Sequence, residues 1–436
     1  MVAFALLCVV VVAACTGLLL LAGPIHAKAE VQRPNIVLIM TDDQTLDSLP
    51  VMRNLLSYPH GSWINFTNAF ASHSICSPSR ATLLTGQYSQ THGVLGNTMG
   101  RKLDDDTTLA VWLDDAGYRT GLIGKYVHSY PSGGPDGQSS VPGWDYFYNR
   151  AAGVDVTTDR AVNFITDADS PFFLWLAYRA PHKPAKPPAR YQSADVYIPP
   201  VNPNFDEADM SDKPKQMQRR PRLSQQQIAW TQSERLASQR ELLAIDDGVQ
   251  RVVDTLDDLG ELDNTLIIFI SDHGFSFGAH RRINKQCPYD ECSRVPLLMR
   301  FPGQNGNRQE DHVVSNVDLA ATIAEYAGVT PYIPQDGRSL MPLLTHQAVD
   351  WEDAILIGQP RYAGAQYTVR VPGWVYSEYF NGEKELYDMV NDPYELDNLA
   401  NFPPYAEQQA LLAAKLHDLL TRGPQSTAPP TGPATP

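Results

Sequence analysis

The stretch Asn35-Ile36-Val37-Leu38-Ile39-Met40-Thr41-Asp42-Asp43 sets a run of apolar side chains almost directly before an acidic pair. No polar residue alternates within Ile36–Met40, so both faces of the segment suit burial, whereas a half-solvated antiparallel strand would alternate. The segment reads as a central strand of a parallel sheet whose carboxyl end opens into reactive residues. Three further segments repeat the pattern. Thr120–Ile123 runs into Gly124-Lys125, Phe172–Ala177 leads to Ala180-Pro181-His182, and Leu266–Ile270 ends in Ser271-Asp272-His273-Gly274. Helical patterns at Thr108–Ala116, Thr158–Asp167 and Gln225 to about Leu259 lie between them. Strands alternating with helices predict an α/β fold with one large, mostly parallel sheet sandwiched by helices. Ligands of open α/β sheets bind beyond the carboxyl ends of the strands, so the four reactive ends are expected to meet at one edge.

Around that body the composition changes. Met1–Gly23 carries no charge, and the first charged residue is Lys28, within Ala27-Lys28-Ala29. Residues 1–29 therefore read as a signal peptide, or as a retained N-terminal anchor, because the apolar run is long enough to span a bilayer. Val12-Ala13-Ala14-Cys15 also has the shape of a lipoprotein box. All three readings place the body outside the cytoplasm: secreted, anchored at the cell surface or in a periplasmic-type space. Residues 30–349 are assigned to a catalytic α/β domain. Over 350–422, the alternating runs Tyr367–Val371 and Trp374–Phe380, the turn pair Asn381-Gly382 and the segment Glu385–Val390 predict a small antiparallel sheet. An amphipathic helix, Ala406–Arg422, closes it with Leu411, Leu412, Leu416 and Leu419 on one stripe. Residues 423–436 form a Pro/Thr-rich tail expected to be disordered. Pro184–Arg222 is expected to be a long surface excursion near the mouth of the site.

Across 436 residues, 34 Lys and Arg face 49 Asp and Glu, a net charge of −15. That balance excludes the broad basic footprint of a nucleic-acid binder. Five cysteines in so long a chain cannot form a disulfide framework, so the core must hold the fold together.

The most informative stretch is Ser74-Ile75-Cys76-Ser77-Pro78-Ser79-Arg80-Ala81-Thr82-Leu83-Leu84-Thr85-Gly86. Pro78 suits the first turn of a helix. Cys76 then lies at the helix N-terminus, where free N–H groups favour an anion. Arg80, about one turn on, can reach back to the same spot. The segment reads as an anion site with a nucleophile; the alternative is a structural buried cysteine.

These residues resemble a known family. Cys76-Ser77-Pro78-Ser79-Arg80 looks like the C-x-P-x-R core of the type I sulfatases, and the flanks agree through Thr85-Gly86. Gly117-Tyr118-Arg119-Thr120-Gly121-Leu122-Ile123-Gly124-Lys125 resembles a second signature of that family. Glu385-Leu386-Tyr387-Asp388, with Asp392-Pro393, Glu395 and Asn398-Leu399, resembles its C-terminal subdomain. Within the family the sequence is most similar to N-acetylglucosamine-6-sulfatases and related glycan sulfatases, through Phe66-Thr67-Asn68-Ala69-Phe70, Gly124-Lys125-Tyr126, Val141-Pro142-Gly143-Trp144-Asp145-Tyr146 and Ala180-Pro181-His182. The resemblance implies an alkaline-phosphatase-like sulfatase fold and an exported sulfuric ester hydrolase acting on a sulfated small molecule or glycan. It further implies that a formylglycine-generating enzyme oxidises Cys76 to formylglycine, whose hydrate is the nucleophile.

Roles follow from the same resemblance. Asp42, Asp43, Asp272 and His273, with the modified Cys76, would hold a divalent cation, Ca²⁺ or alternatively Mg²⁺, since carboxylate oxygens suit a hard ion. Arg80 would serve the anion, and Lys125 and Lys285 would clamp sulfate oxygens. His182 is the candidate general acid for the leaving oxygen. One position departs from the family pattern: Val127 stands two residues after the signature lysine, where many sulfatases have histidine. His128 follows it and is assigned as the base for sulfate elimination, with substrate contact or packing as alternatives. Cys287 and Cys292 could form a disulfide or stay reduced, and His280 could line the site or support it from behind. Lys183, Lys186, Arg190 and the Lys213–Arg222 cluster are candidates for a local basic groove. Two other readings stay open: a phosphonate monoester or phosphodiester hydrolase using the same site, and a non-catalytic glycan-binding surface protein with an unmodified Cys76.

Overall fold

The computed structural model describes residues 33–57, 63–134, 137–168, 171–304, 306–360 and 365–422. The expected leader and the Pro/Thr-rich tail fall outside the described residues. The strands are β1 (Asn35–Thr41), β2 (Trp63–Phe66), β3 (Ala69–Phe70), β4 (Arg119–Gly124), β5 (Tyr146–Tyr148), β6 (Phe172–Ala177), β7 (Thr265–Ser271), β8 (Leu297–Arg300), β9 (Arg308–Glu310), β10 (Val314–Ser315), β11 (Ile355–Gln359), β12 (Gln366–Val371), β13 (Trp374–Tyr379) and β14 (Lys384–Asp388). The longer helices are α1 (Cys76–Thr85), α2 (Leu109–Asp115), α3 (Val154–Asp167), α4 (Gln225–Asp258), α5 (Asp318–Ala327) and α6 (Ala406–Thr421).

The main sheet has the order β5-β4-β6-β1-β7-β8-β2-β9. From β5 through β7 every pairing is parallel; β8 runs antiparallel to both β7 and β2, and β2 pairs in parallel with β9. Both faces are covered, as unalternated apolar strands require. Ile36, Leu38 and Met40 of β1, with Leu266, Ile268 and Ile270 of β7, enter a core shared with α1, α2 and α5. Val37 and Ile39, with Ile267 and Phe269, enter the opposite core with α3 and α4. Each such side chain contributes roughly 1.5–3 kcal/mol of burial.

The register explains the site. Gly124 of β4 pairs with Ala177 of β6, Ala177 pairs with Met40 of β1, and Thr41 pairs with Ser271 of β7. Four strands thus end at nearly one height, and the residues that follow them emerge together. Gly124 has φ 112°, and a Cβ there would lie 1.9 Å from the Ala177 carbonyl oxygen. Only glycine lets the chain leave the sheet at that point.

Two helix starts are informative. α4 begins where a capping box forms, with Ser224 and Gln227 bonding reciprocally across the first turn. α3 begins at Val154, four residues ahead of the expected Thr158. The hydroxyls of Thr157 and Thr158 bond back to the carbonyls of Gly153 and Val154 at 3.0 and 2.9 Å, so these polar residues are satisfied inside the helix.

The C-terminal sheet is fully antiparallel in the order β11-β12-β13-β14, with Gly382 at φ 86° in the last turn. α6 packs Leu412 and Leu416 onto Leu356, Val369, Tyr376 and Leu386. Leu411, expected on that stripe, is 61% exposed; it sits about 100° around the helix from Leu412.

Pro184–Arg222 runs over the surface through residue 203, as expected, and then turns partly inward. Asn204, Asp206, Glu207, Met210, Lys213 and Met217 are buried. Asp206 N–H donates to the Gly278 carbonyl and His280 N–H to the Asn204 carbonyl, both at 2.8 Å. Three of the candidate groove cations have acidic partners within the fold. Lys213 pairs with Glu207 at 3.3 Å, Arg190 with Asp155 at 2.7 Å, and Arg222 with Asp206 at 2.8 Å. Cys287 and Cys292 form a disulfide. Among the described residues, no helix is long and apolar enough to cross a membrane.

Candidate active site

Ile75 is extended (φ −151°, ψ 144°), and α1 starts at Cys76. Cys76 therefore lies in the first helical turn, facing free N–H groups and the positive end of the dipole. Around its buried Sγ stand Lys285 Nζ at 3.1 Å, His273 Nε2 at 3.4 Å and Asp42 Oδ1 at 3.6 Å. These groups come from the ends of β1 and β7, the start of α1, and the loop before β8.

Three carboxylates and three fixed cations interlock here. Lys285 Nζ is 2.7 Å from Asp43 Oδ1, and Lys125 Nζ contacts Asp42 Oδ2. Arg80 Nε donates to Asp272 Oδ2 at 2.9 Å, while its Nη2 lies 3.4 Å from Asp42 Oδ2. Burial would raise the carboxyl pKa of Asp42, but Lys125, Arg80 and Lys285 outweigh it and hold that group well below its usual range. Burial and Asp42 push the Cys76 thiol up; Lys125 and Lys285 reverse the balance and bring it below its ordinary value. Burial disfavours the His273 imidazolium, yet the Asp272 carboxylate raises its pKa to about 9.

The remaining histidines differ. His182 Nε2 approaches Asp43 Oδ2 at 3.7 Å, and its Nδ1 lies 2.7 Å from the Lys183 carbonyl oxygen. Burial lowers its pKa despite Asp42 and Asp43 nearby. His128 Nδ1 lies 2.8 Å from the hydroxyl of Ser77, the residue after Cys76. Burial together with Lys125 and Arg80 lowers the His128 pKa to about 4. His280 does not contact this cluster; it bonds to Glu207 and Asn204.

A family model described as Sulfatase matches residues 34–329, and one described as N-sulphoglucosamine sulphohydrolase, C-terminal, matches residues 278–422. The chain belongs to the sulfatase family. This sulfatase is 28% identical to an N-acetylglucosamine-6-O-sulfatase of Bacteroides thetaiotaomicron, over 90% of this chain and 87% of that one. It is 30% identical to the human N-acetylglucosamine-6-sulfatase, over 77% of this chain and 69% of that one. A solved structure of a protein in complex with its substrate, D-glucosamine-2-N,6-O-disulfate, shares the fold with a TM-score of 0.75 at 24% identity, covering 91% of this chain and 100% of that one.

The residues of the sulfatase fit a cation. Ligand atoms of Asp42, Asp43, Cys76 and His273 lie within 4.8 Å of one another. Asp43 Oδ2 is buried with no hydrogen-bond partner, an orphaned acceptor of the kind a cation satisfies. Asp272 stands beside this group, its Oδ1 3.5 Å from His273 Nε2 and its Oδ2 held by Arg80. Several supporting residues of the sulfatase escaped the reading of motifs. Asn97 Oδ1 accepts from Ser77 N–H at 2.9 Å, and Asn316 Nδ2 donates to the Ser79 hydroxyl at 3.0 Å. Gln359 of β11 donates to the Ser74 hydroxyl at 2.6 Å, which ties the C-terminal sheet to the nucleophile segment. Each lies far along the chain from its partner, so only a Ser or Asn within a motif could have hinted at it.

Proposed function

We propose that this sulfatase is exported and removes sulfate from a sulfated sugar, first among them N-acetylglucosamine 6-sulfate. It does so with residue 76 as formylglycine and a divalent cation, Ca²⁺ before Mg²⁺. The observation that carries the reading is the charged ring around Cys76 Sγ: an ammonium at 3.1 Å, an imidazole at 3.4 Å and a carboxylate at 3.6 Å. A structural buried cysteine is a small hydrophobe among apolar neighbours; this one sits among charges. The two N-acetylglucosamine-6-sulfatase relatives support the sugar class and favour a sulfate ester over a phosphonate. The uncharged apolar run Met1–Gly23 supports export.

A divalent cation held by Asp42, Asp43, Asp272 and His273 supplies positive charge that orients a sulfate oxygen and acidifies a neighbouring hydroxyl. Formylglycine at residue 76, hydrated by one water, would supply two hydroxyls on one carbon: one oxygen to bond sulfur as the sugar oxygen leaves, the other to lose its proton and re-form the carbonyl as the C–O bond to sulfate breaks. The other residues work around that exchange. Lys125 and Lys285 hold sulfate oxygens and offset the charge that grows in the transition state. Arg80 fixes Asp42 and Asp272, with a buried Nη2 that has no hydrogen-bond acceptor among the described residues. His182 delivers a proton to the departing sugar oxygen; the negative charge of bound sulfate offsets the burial that lowers its pKa. His128, neutral at pH 7, accepts a proton at the elimination step, through its place beside Ser77.

Parallel kinetics on N-acetylglucosamine 6-sulfate, an aryl sulfate and a matched aryl phosphonate ester test this reading. The highest kcat/KM is expected for the sugar sulfate. Phosphonate turnover equal to or above sulfate turnover would overturn it.

A further inference from the structure

A second polar cluster lies outside the site described above, where the 204–207 segment, the loop after β7 and the segment after β14 meet. Ligand atoms of His280, Glu291 and Glu395 lie within 4.8 Å of one another. We propose that these three residues form a second cation site, taking a divalent ion of the Zn²⁺ class.

The histidine is oriented as a metal ligand is. Its Nδ1 is 2.7 Å from Glu207 Oε2, so the ring N–H points at that carboxylate and the Nε2 lone pair points into the cluster. A ligating imidazole characteristically donates its other N–H to a carboxylate in this way. Stacking on Tyr289, with ring centroids 4.1 Å apart, fixes the ring plane.

Neither Glu291 nor Glu395 has an ion-pair partner among the described residues. The nearby cations are engaged elsewhere: Lys213 with Glu207 at 3.3 Å, and Arg294 and Arg370 with Asp290 at 3.5 and 3.2 Å. Glu291 Oε2 is shut off from solvent with no hydrogen-bond partner. Asn204 is 0% exposed, and its Oδ1 is equally unpartnered. Leaving such groups unmatched is costly.

Asn204 also marks where an ion would sit. Its Nδ2 is approached by three acceptors: Glu291 Oε1 at 2.6 Å, the Tyr394 carbonyl oxygen at 3.1 Å and His280 Nε2 at 3.2 Å. An amide nitrogen has only two hydrogens to offer. Three converging lone-pair groups suit a cation better. Turning the amide over would bring the orphaned Oδ1 into the cluster as a further ligand, and amide orientation is assigned from the hydrogen-bond network alone. A cavity of about 250 Å³, lined by Asn204, Glu291, Phe277 and Tyr394 among others, offers a way in. Imidazole nitrogen with carboxylate oxygen favours Zn²⁺ over Ca²⁺, which prefers all-oxygen cages. Lys285 lies between His280 and Glu291 in the chain, so an ion here would brace the loop that carries it.

Co²⁺, a spectroscopic stand-in for Zn²⁺, reads the site in the chelator-stripped full chain carrying Asp43→Asn, which removes one donor of the cluster at Cys76, and Glu291→Gln separates any signal that remains there. Visible d–d absorption is expected to appear on titration, to be lost with Glu291→Gln, and to need about 10- to 100-fold more metal with Glu207→Gln. The Glu207 variant decides the matter if the Glu291 variant loses its native circular dichroism. No absorption in the Asp43→Asn protein, or absorption indifferent to Glu207→Gln, would overturn the proposal.

Discussion

Lys285 and Arg80 both carry positive charge into the same cluster, but the structure predicts a different balance of consequences for losing them. Lys285 Nζ faces Cys76 Sγ at 3.1 Å, with Asp43 at 2.7 Å and Asp42 at 4.0 Å. Lys285→Ala should lower kcat about 10²- to 10³-fold in steady-state assays, with a smaller fall in the urea midpoint than Arg80→Ala because Lys285 is less deeply buried. Arg80 has 0% side-chain exposure and lies against both Asp42 and Asp272. Arg80→Ala leaves two buried carboxylates without that partner and should cost about 3–5 kcal/mol of stability in urea denaturation, whatever its effect on rate. Which residues would gather was legible wherever a reactive side chain immediately follows a strand or opens a helix, as with Asp42, Lys125, Asp272 and Cys76. The partners of those residues were not. Ser77 and His128 are 51 positions apart, and nothing local in either segment announces the other.

At the scale of elements, the site depends on strands ending in register. Gly124→Ala would drive a Cβ to 1.9 Å from the Ala177 oxygen at φ 112°. It should cost at least about 1–3 kcal/mol and displace Lys125, so the melting temperature and kcat should fall together. The C-terminal helix allows a prediction about pH. Glu352 accepts from Arg422 Nη2 at 2.8 Å and contacts Lys415. Its hydrogen bond to Arg422 outweighs burial, and with Lys415 lowers its pKa from 4.5 to about 2. A depressed carboxyl pKa means stabilisation that is complete above about 4.5 and lost as the pH falls towards 2. The pair is partly solvated, so the effect is small, ~0.5 kcal/mol. Melting curves of the parent chain and Glu352→Gln should differ at pH 6 and converge towards pH 2; a gap that widens in acid would contradict the assignment. Strands were readable because continuous apolar runs have one sensible place in a sheet. The start of α3 was hidden by threonines that satisfy themselves on the helix. The acidic partners of the groove candidates Arg190 and Lys213 could not be foreseen, because composition shows a charge and not its partner.

For the whole molecule, the proposed cation links the ends of β1 and β7 to α1. A chelator should abolish turnover and lower the melting temperature, and Ca²⁺ should restore both. Restoration of about 2.7 kcal/mol is expected at a free concentration one hundred times Kd; calorimetry at several Ca²⁺ concentrations reads it. A melting temperature indifferent to chelator would remove the cation from the account. The fold could be read from the chain because its sheet, both cores and C-terminal unit are written in local patterns. The network joining Asn204, Glu207 and His280 could not, since it assembles three segments with no shared signature. The central claim concerns one carbon atom, the Cβ of residue 76. Peptide mass spectrometry across Cys76 in catalytically active native material tests it most directly. The account predicts an aldehyde in place of the thiol; an intact thiol in a preparation that turns over sulfate esters would contradict it.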